Sequence, residues 1–185
     1  MQFTVSEACP LHTYTALGER STLVLLPHSP ACHLIDHLFC AGRMQLFHHH
    51  GCVSSAPEHV PIVHAVSLCG RMGAGAAKSL HEMYDLRHEF RSTQRECPGL
   101  VPILRGHRLI INVITKERYF HKPTRDQIFN SLLKLRDFLA FHGFPEIAIT
   151  VFGCGRDKFP YQLLIQFLNQ IFGSTPVHIH MYHLD

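Results

Sequence analysis

The chain has 185 residues, 46% hydrophobic and 17% charged, which excludes a disordered or low-complexity protein and fits one α/β domain with an extension. A net charge of +3 with neutral histidines is too small to argue for a duplex nucleic-acid binder, although the 17 histidines add positive charge in acid. Seven cysteines with no CxxC spacing read as reduced thiols, and no apolar run is long enough for a membrane span.

The opening MQFTVSEACPLHTY lacks a basic segment followed by an apolar one, so no cleaved secretory signal is expected. Together with the reduced cysteines this predicts a cytoplasmic or nuclear protein. Residues 1–42 carry a possible edge strand, STLVLL, and a short helix, ACHLIDHLFCAG. They are expected to pack on the following domain as an N-terminal extension. Within them His33, His37 and Cys40 are helically spaced, with Cys32 adjacent, but the spacing is not that of a closed zinc site, so no metal is predicted.

Regular patterning begins at residue 43. RMQLFHHH and VPIVHAVS read as buried strands, and GRMGAGAAKSLHEMYDLRHEF as a glycine-rich loop opening into one helix. LVPILRGH and HRLIINVITK flank a turn at Gly106 and predict an antiparallel hairpin. KPTRDQIFNSLLKLRDFLAFHG carries a capping box, Thr124 with Gln127, and a stop at Gly143. A strand, EIAITV, a helix, PYQLLIQFLNQIFG, and a last strand, PVHIHMYHL, complete the domain. Strands alternating with helices, interrupted by one hairpin, imply an α/β fold with a mixed sheet and helices on both faces.

Ligands of such sheets bind beyond the carboxyl ends of the strands. SLCGRMGAGAA, ITKERYFHKPT and GCGRDKF each leave a strand and enter a helix there. Glycines let backbone N–H groups approach an anion, and a helix N-terminus adds partial positive charge. Taken singly, each glycine pair is equally well explained as a tight turn, and neither matches a Walker A loop nor the dinucleotide fingerprint. Cys154 could be a redox thiol or merely a loop residue.

Taken together, HAVSLCGRMGAGAA, VITKERYFHKPT and FGCGRDKF, in this order, resemble the macrodomain family, in its terminal ADP-ribose protein glycohydrolase (O-acetyl-ADP-ribose deacetylase) branch. The likeness spans residues 43–184 and implies a three-layer α/β/α macrodomain sandwich over 43–185 that needs no cofactor. It implies Lys116 as nucleophile and Asp157 as catalytic aspartate. It also implies ligand contacts from Cys52 and Val53, from Ser67, from Met72, Gly73, Ala74 and Gly75, and from Leu184. The loop Val151, Phe152, Gly153, Cys154, Gly155 and Arg156 completes the expected contacts. The implied activity is removal of mono-ADP-ribose esters from glutamate and aspartate side chains, with deacetylation of O-acetyl-ADP-ribose beside it. The alternative is a non-catalytic reader of ADP-ribose. The implied partners are ADP-ribose, mono-ADP-ribosylated proteins and poly-ADP-ribose, met by a monomer away from membranes.

The chemistry suits the residues. A lysine amine can attack the anomeric carbon of a ribose ester. Desolvation favours the neutral amine while a neighbouring carboxylate opposes it, so Lys116 is expected to rest as an ammonium paired with Asp157. Two departures stand out. Gly51-Cys52 replaces the family's Gly-Asp, whose carboxylate receives the adenine amino group, and a thiol is a much weaker acceptor; His49 or His50 are candidate substitutes. Thr150-Val151-Phe152 replaces Pro-Arg-Ile, removing an arginine that Arg156 could offset at the phosphates. Tyr161 stands in place of a tryptophan.

Overall fold

The computed structural model describes residues 42–184. The expected packing of residues 1–42, and the group Cys32, His33, His37 and Cys40, fall outside the described residues, apart from Gly42. Six strands form one sheet: β1 (Gln45–His50), β2 (Ile62–Ser67), β3 (Gly99–Arg105), β4 (Arg108–Lys116), β5 (Glu146–Thr150) and β6 (His178–His183). Their order is β1-β6-β5-β2-β4-β3, parallel throughout except for the β3–β4 hairpin. The hairpin turns at Gly106, whose φ of 59° suits a residue without Cβ. Pro102 lies in β3, where the edge position leaves its missing N–H harmless.

Alternation along the central strands splits the core between two faces. Val63, Ile111 and Val113 pack against Leu132, Leu135 and Leu164 of two helices, α3 (Arg125–His142) and α4 (Tyr161–Phe172). Ile62, Val66 and Ile110 pack against Leu80, Leu86 and Phe90 of α1 (Gly75–Tyr84) and the segment after it. The result is the expected three layers. α3 starts with the expected capping box, Thr124 Oγ1 accepting from the Gln127 backbone and Gln127 Oε1 from the Thr124 N–H, and ends at Gly143 with φ 68°.

The single helix expected after the glycine-rich loop is two. α1 ends at Asp85, which adopts φ 46° and ψ 56°, and α2 (Arg87–Ser92) follows. In a straight helix Leu86 and Phe90 would lie off the stripe that carries Leu80. The break turns both into the core, where neither is exposed, and aspartate is among the few residues that accept a left-handed backbone at modest cost.

His64 and Asn112 face each other across β2 and β4, fully buried, with Nε2 and Oδ1 2.8 Å apart. Asn112 donates its amide to the Val101 carbonyl at 2.9 Å, tying β3 to the pair. Burial lowers the His64 pKa to about 4, only partly opposed by the Asn112 bond, so this imidazole is neutral structure. No helix among the described residues is long and apolar enough to cross a membrane.

Candidate active site

Beyond the carboxyl ends of β2, β4 and β5 the chain leaves a two-lobed cleft, of about 370 and 420 Å3. Ala74, Gly75, Arg156 and Asp157 line both lobes and mark their junction. α1 begins at this junction with Ala74 at its N-cap, so no side chain takes its first N–H groups and no acidic residue sits in its first turn. Unclaimed donors, the helix dipole and the Arg156 guanidinium together make the junction a place for an anion.

The first lobe ends on Lys116 and Asp157. Lys116 is the last residue of β4 and Asp157 lies in the loop after β5. The ammonium stands 2.6 Å from each carboxylate oxygen, with side chains only 11% and 17% exposed. The ladder between β2 and β4 slips by one residue here: Val66 pairs with Ile114, but Ser67 pairs with Lys116. The extra residue is Thr115, and this bulge re-aims the strand end so that Lys116 and Ser67 line the same lobe. Met72, with φ 44°, and Gly73 close the lobe from the glycine-rich loop. Ser67 Oγ lies 3.2 Å from Cys69 Sγ. Burial alone would raise the Cys69 pKa, but the Ser67 hydroxyl, the Arg71 and Tyr119 N–H groups and the charge of Arg118 outweigh it and lower it.

The second lobe is lined by Cys52, Val53, Val151, Gly153, Cys154, Gly155 and Leu184. Gly153 turns the strand toward α4 with φ 66°, and a Cβ there would stand 3.3 Å from Phe159. Cys154 donates its thiol to the Phe152 carbonyl at 3.3 Å, and burial pushes its pKa up to about 11, which makes it an unreactive thiol at neutral pH. Cys52 Sγ already accepts the Ser54 hydroxyl at 2.9 Å. Among the described residues no group of three His, Cys, Asp or Glu is arranged to hold a metal ion.

The fold therefore brings both expected reactive residues and nearly all expected contact residues to one cleft. Phe152 is the exception: its side chain is 1% exposed within the α3–α4 core, leaving only its backbone near the cleft. Neither His49 nor His50 lines the second lobe. His49 pairs with His180 at 3.0 Å and stacks on Tyr182, and it is Tyr182 and His183 that reach the lobe. The lobe-lining Arg71 and Tyr119 were also absent from the expected set; the Arg71 guanidinium sits 4.0 Å over the Tyr119 ring. Their positions inside the quoted loop motifs were the only available signal, since nothing in a single loop says which other loop it will meet.

No family model matches the chain. Among curated proteins it is similar to the ADP-ribose glycohydrolase OARD1 of Bos taurus, 27% identical over 134 residues, and to that of Homo sapiens, 26% identical. Each match covers 72% of this chain and 88% of the relative. Among solved structures, the macrodomain of Thermus aquaticus DarG matches with a TM-score of 0.69 at 20% identity, over 76% of this chain and 99% of that one. Thermosipho africanus DarTG in complex with ADP-ribose matches with a TM-score of 0.64 at 14% identity, over 75% of this chain and 42% of that one. The fold is that of the macrodomains.

Proposed function

We propose that this chain, a protein of macrodomain fold similar to ADP-ribose glycohydrolases, removes ADP-ribose esterified to glutamate or aspartate side chains, and O-acetyl groups from O-acetyl-ADP-ribose. The supporting observation is the Lys116–Asp157 pair, set at the end of a lobe that joins an anion-binding junction. The pyrophosphate would occupy that junction, held by the α1 N-terminus and Arg156. The base would enter the second lobe, and the distal ribose would lie against Lys116.

Substrate binding then separates the ion pair. Asp157 takes a proton from the Lys116 ammonium, and the freed amine attacks the anomeric carbon. The carbon–oxygen bond to the protein carboxylate breaks, and the carboxylate leaves with the electron pair and takes the proton from Asp157, which returns to its ionised form. Water, giving a proton to the returned Asp157 carboxylate, attacks the lysyl-ribose adduct, whose carbon–nitrogen bond breaks to regenerate Lys116 and free ADP-ribose.

Mono-ADP-ribosylated proteins and poly-ADP-ribose are the partners this reading implies, met by a monomer in the cytoplasm or nucleus. A reader without turnover is the second reading, favoured by the hold of both carboxylate oxygens on Lys116, which must open before the amine can act. Incubation with glutamate-linked mono-ADP-ribosylated protein decides between them: released ADP-ribose supports the hydrolase, and binding without release supports the reader.

A further inference from the structure

From Lys116 the chain leaves the first lobe through Glu117, Arg118, Tyr119, Phe120, His121 and Lys122, all exposed, with Tyr119 still at the lobe's edge. Phe120 is 67% exposed, in edge contact with both Tyr119 and His121. A lone exposed apolar side chain is ordinary, but three adjoining rings at the mouth of a cleft form a contiguous platform. The charges in the run and over it are mainly positive, Arg71, Arg118 and Lys122 against the single acid Glu117. Arg71 lines the lobe and stacks on Tyr119, and Arg118 stands in the same turn, its carbonyl accepting the His121 N–H at 3.0 Å. Arg71, Arg118 and Lys122 form no ion pair with any described residue, so their charges are not already met within the domain.

We propose that residues 118–122, with Arg71, form a docking surface for the acidic polypeptide that carries the ADP-ribose ester. The proposal rests on the ester-hydrolase reading, because that reading places the modified carboxylate, and the polypeptide bearing it, at the outer end of the first lobe. Acidic side chains flanking the modified residue would meet Arg118 and Lys122, while the polypeptide's apolar atoms cover Phe120. The surface adds substrate choice to a pocket that would otherwise see only ADP-ribose, and its charge contribution is screened by salt.

The test measures binding, so that it does not depend on turnover. Fluorescence anisotropy compares the wild-type full chain with Arg118→Glu/Lys122→Glu and with Phe120→Ala. The probes are free ADP-ribose and peptides carrying ADP-ribose through a non-hydrolysable amide, flanked either by Asp and Glu or by Ser and Ala. The wild type is expected to bind the acidic peptide about tenfold more tightly than the neutral one, roughly the contribution of one or two exposed ion pairs. The double variant is expected to lose that preference, Phe120→Ala to weaken both peptides, and both to keep wild-type affinity for free ADP-ribose. Equal affinity of the wild type for the two peptides overturns the proposal. So does tighter competition by a single-stranded oligonucleotide or by poly-ADP-ribose than by the acidic peptide, with the same sensitivity to Arg118→Glu/Lys122→Glu. Failure of the wild type to release ADP-ribose from an ester-linked protein, with the peptide preference intact, overturns the hydrolase reading and leaves the docking surface standing.

Discussion

Lys116 and Asp157, 41 residues apart in the chain, meet with the ammonium 2.6 Å from both carboxylate oxygens in a site that is mostly closed to water. Removing one partner strands a desolvated charge, while removing both does not. Lys116→Ala and Asp157→Ala are each expected to cost about 3 kcal/mol in urea unfolding, and Lys116→Met with Asp157→Leu to recover most of it. All three are expected to lower ADP-ribose release at least about a hundredfold. Recovered stability without recovered release separates the chemical role of the pair from its structural one.

The two glycines of the GCG turn predict different outcomes. Gly153 has φ 66° and a Cβ would press on Phe159, whereas a Cβ at Gly155 meets nothing within 4 Å and its φ is unremarkable. Gly153→Ala is expected to lower stability by about 1–2 kcal/mol. Gly155→Ala is expected to be nearly neutral in stability and to weaken ADP-ribose in titration calorimetry if the ligand passes close to that backbone. Wild-type affinity in a stable Gly155→Ala protein would move the ligand away from the turn.

The second lobe holds a thiol, not a carboxylate, at Cys52, and the Ser54 hydroxyl already points at it. Cys52→Asp is expected to tighten ADP-ribose about tenfold, the worth of one charged hydrogen bond. The gain should vanish with an inosine analogue, which lacks the amino group. An equal gain for both ligands would show that the base is not read at this position.

Arg156 stands at the lobe junction beside the uncapped α1 N-terminus. Arg156→Ala is expected to weaken ADP-ribose about tenfold and to flatten the dependence of affinity on salt, since an exposed guanidinium acts on the phosphates through a screened interaction. An unchanged salt dependence would remove Arg156 from the phosphate site.

His64 ties stability to acid. Its folded pKa, about 4, lies below the ordinary 6.5, so the unfolded chain binds the proton first. The contribution is complete above about pH 6.5 and is lost as the pH falls through 4, an effect of at most about 3 kcal/mol. Urea unfolding of wild type against His64→Gln, at pH 7 and pH 4.5, should show the wild type losing more on acidification. A parallel loss in both would assign the acid sensitivity to other titrating groups.

Periodicity, caps and turn residues determined the secondary-structure order on their own, because they act within a few residues of chain. The capping box at Thr124, the hairpin at Gly106 and the stop at Gly143 all appear where the sequence places them. The split between α1 and α2 did not announce itself locally, because Asp85 takes a left-handed backbone only when core burial of Leu86 and Phe90 demands it. The three loop motifs, read together, pointed to the macrodomain fold and named both members of the Lys116–Asp157 pair. Tertiary structure alone decided how that pair is made. A bulge at Thr115, set by the partner strand, aims Lys116, and the left-handed Gly153 turn brings Asp157 to meet it. It also decided that Phe152 faces the core, that Tyr182 and His183 reach the second lobe, and that Arg71 covers Tyr119 at the mouth. The physical reason is range: backbone preference and hydrophobic period are local, whereas a site is an intersection of strand ends whose register is set by the whole sheet.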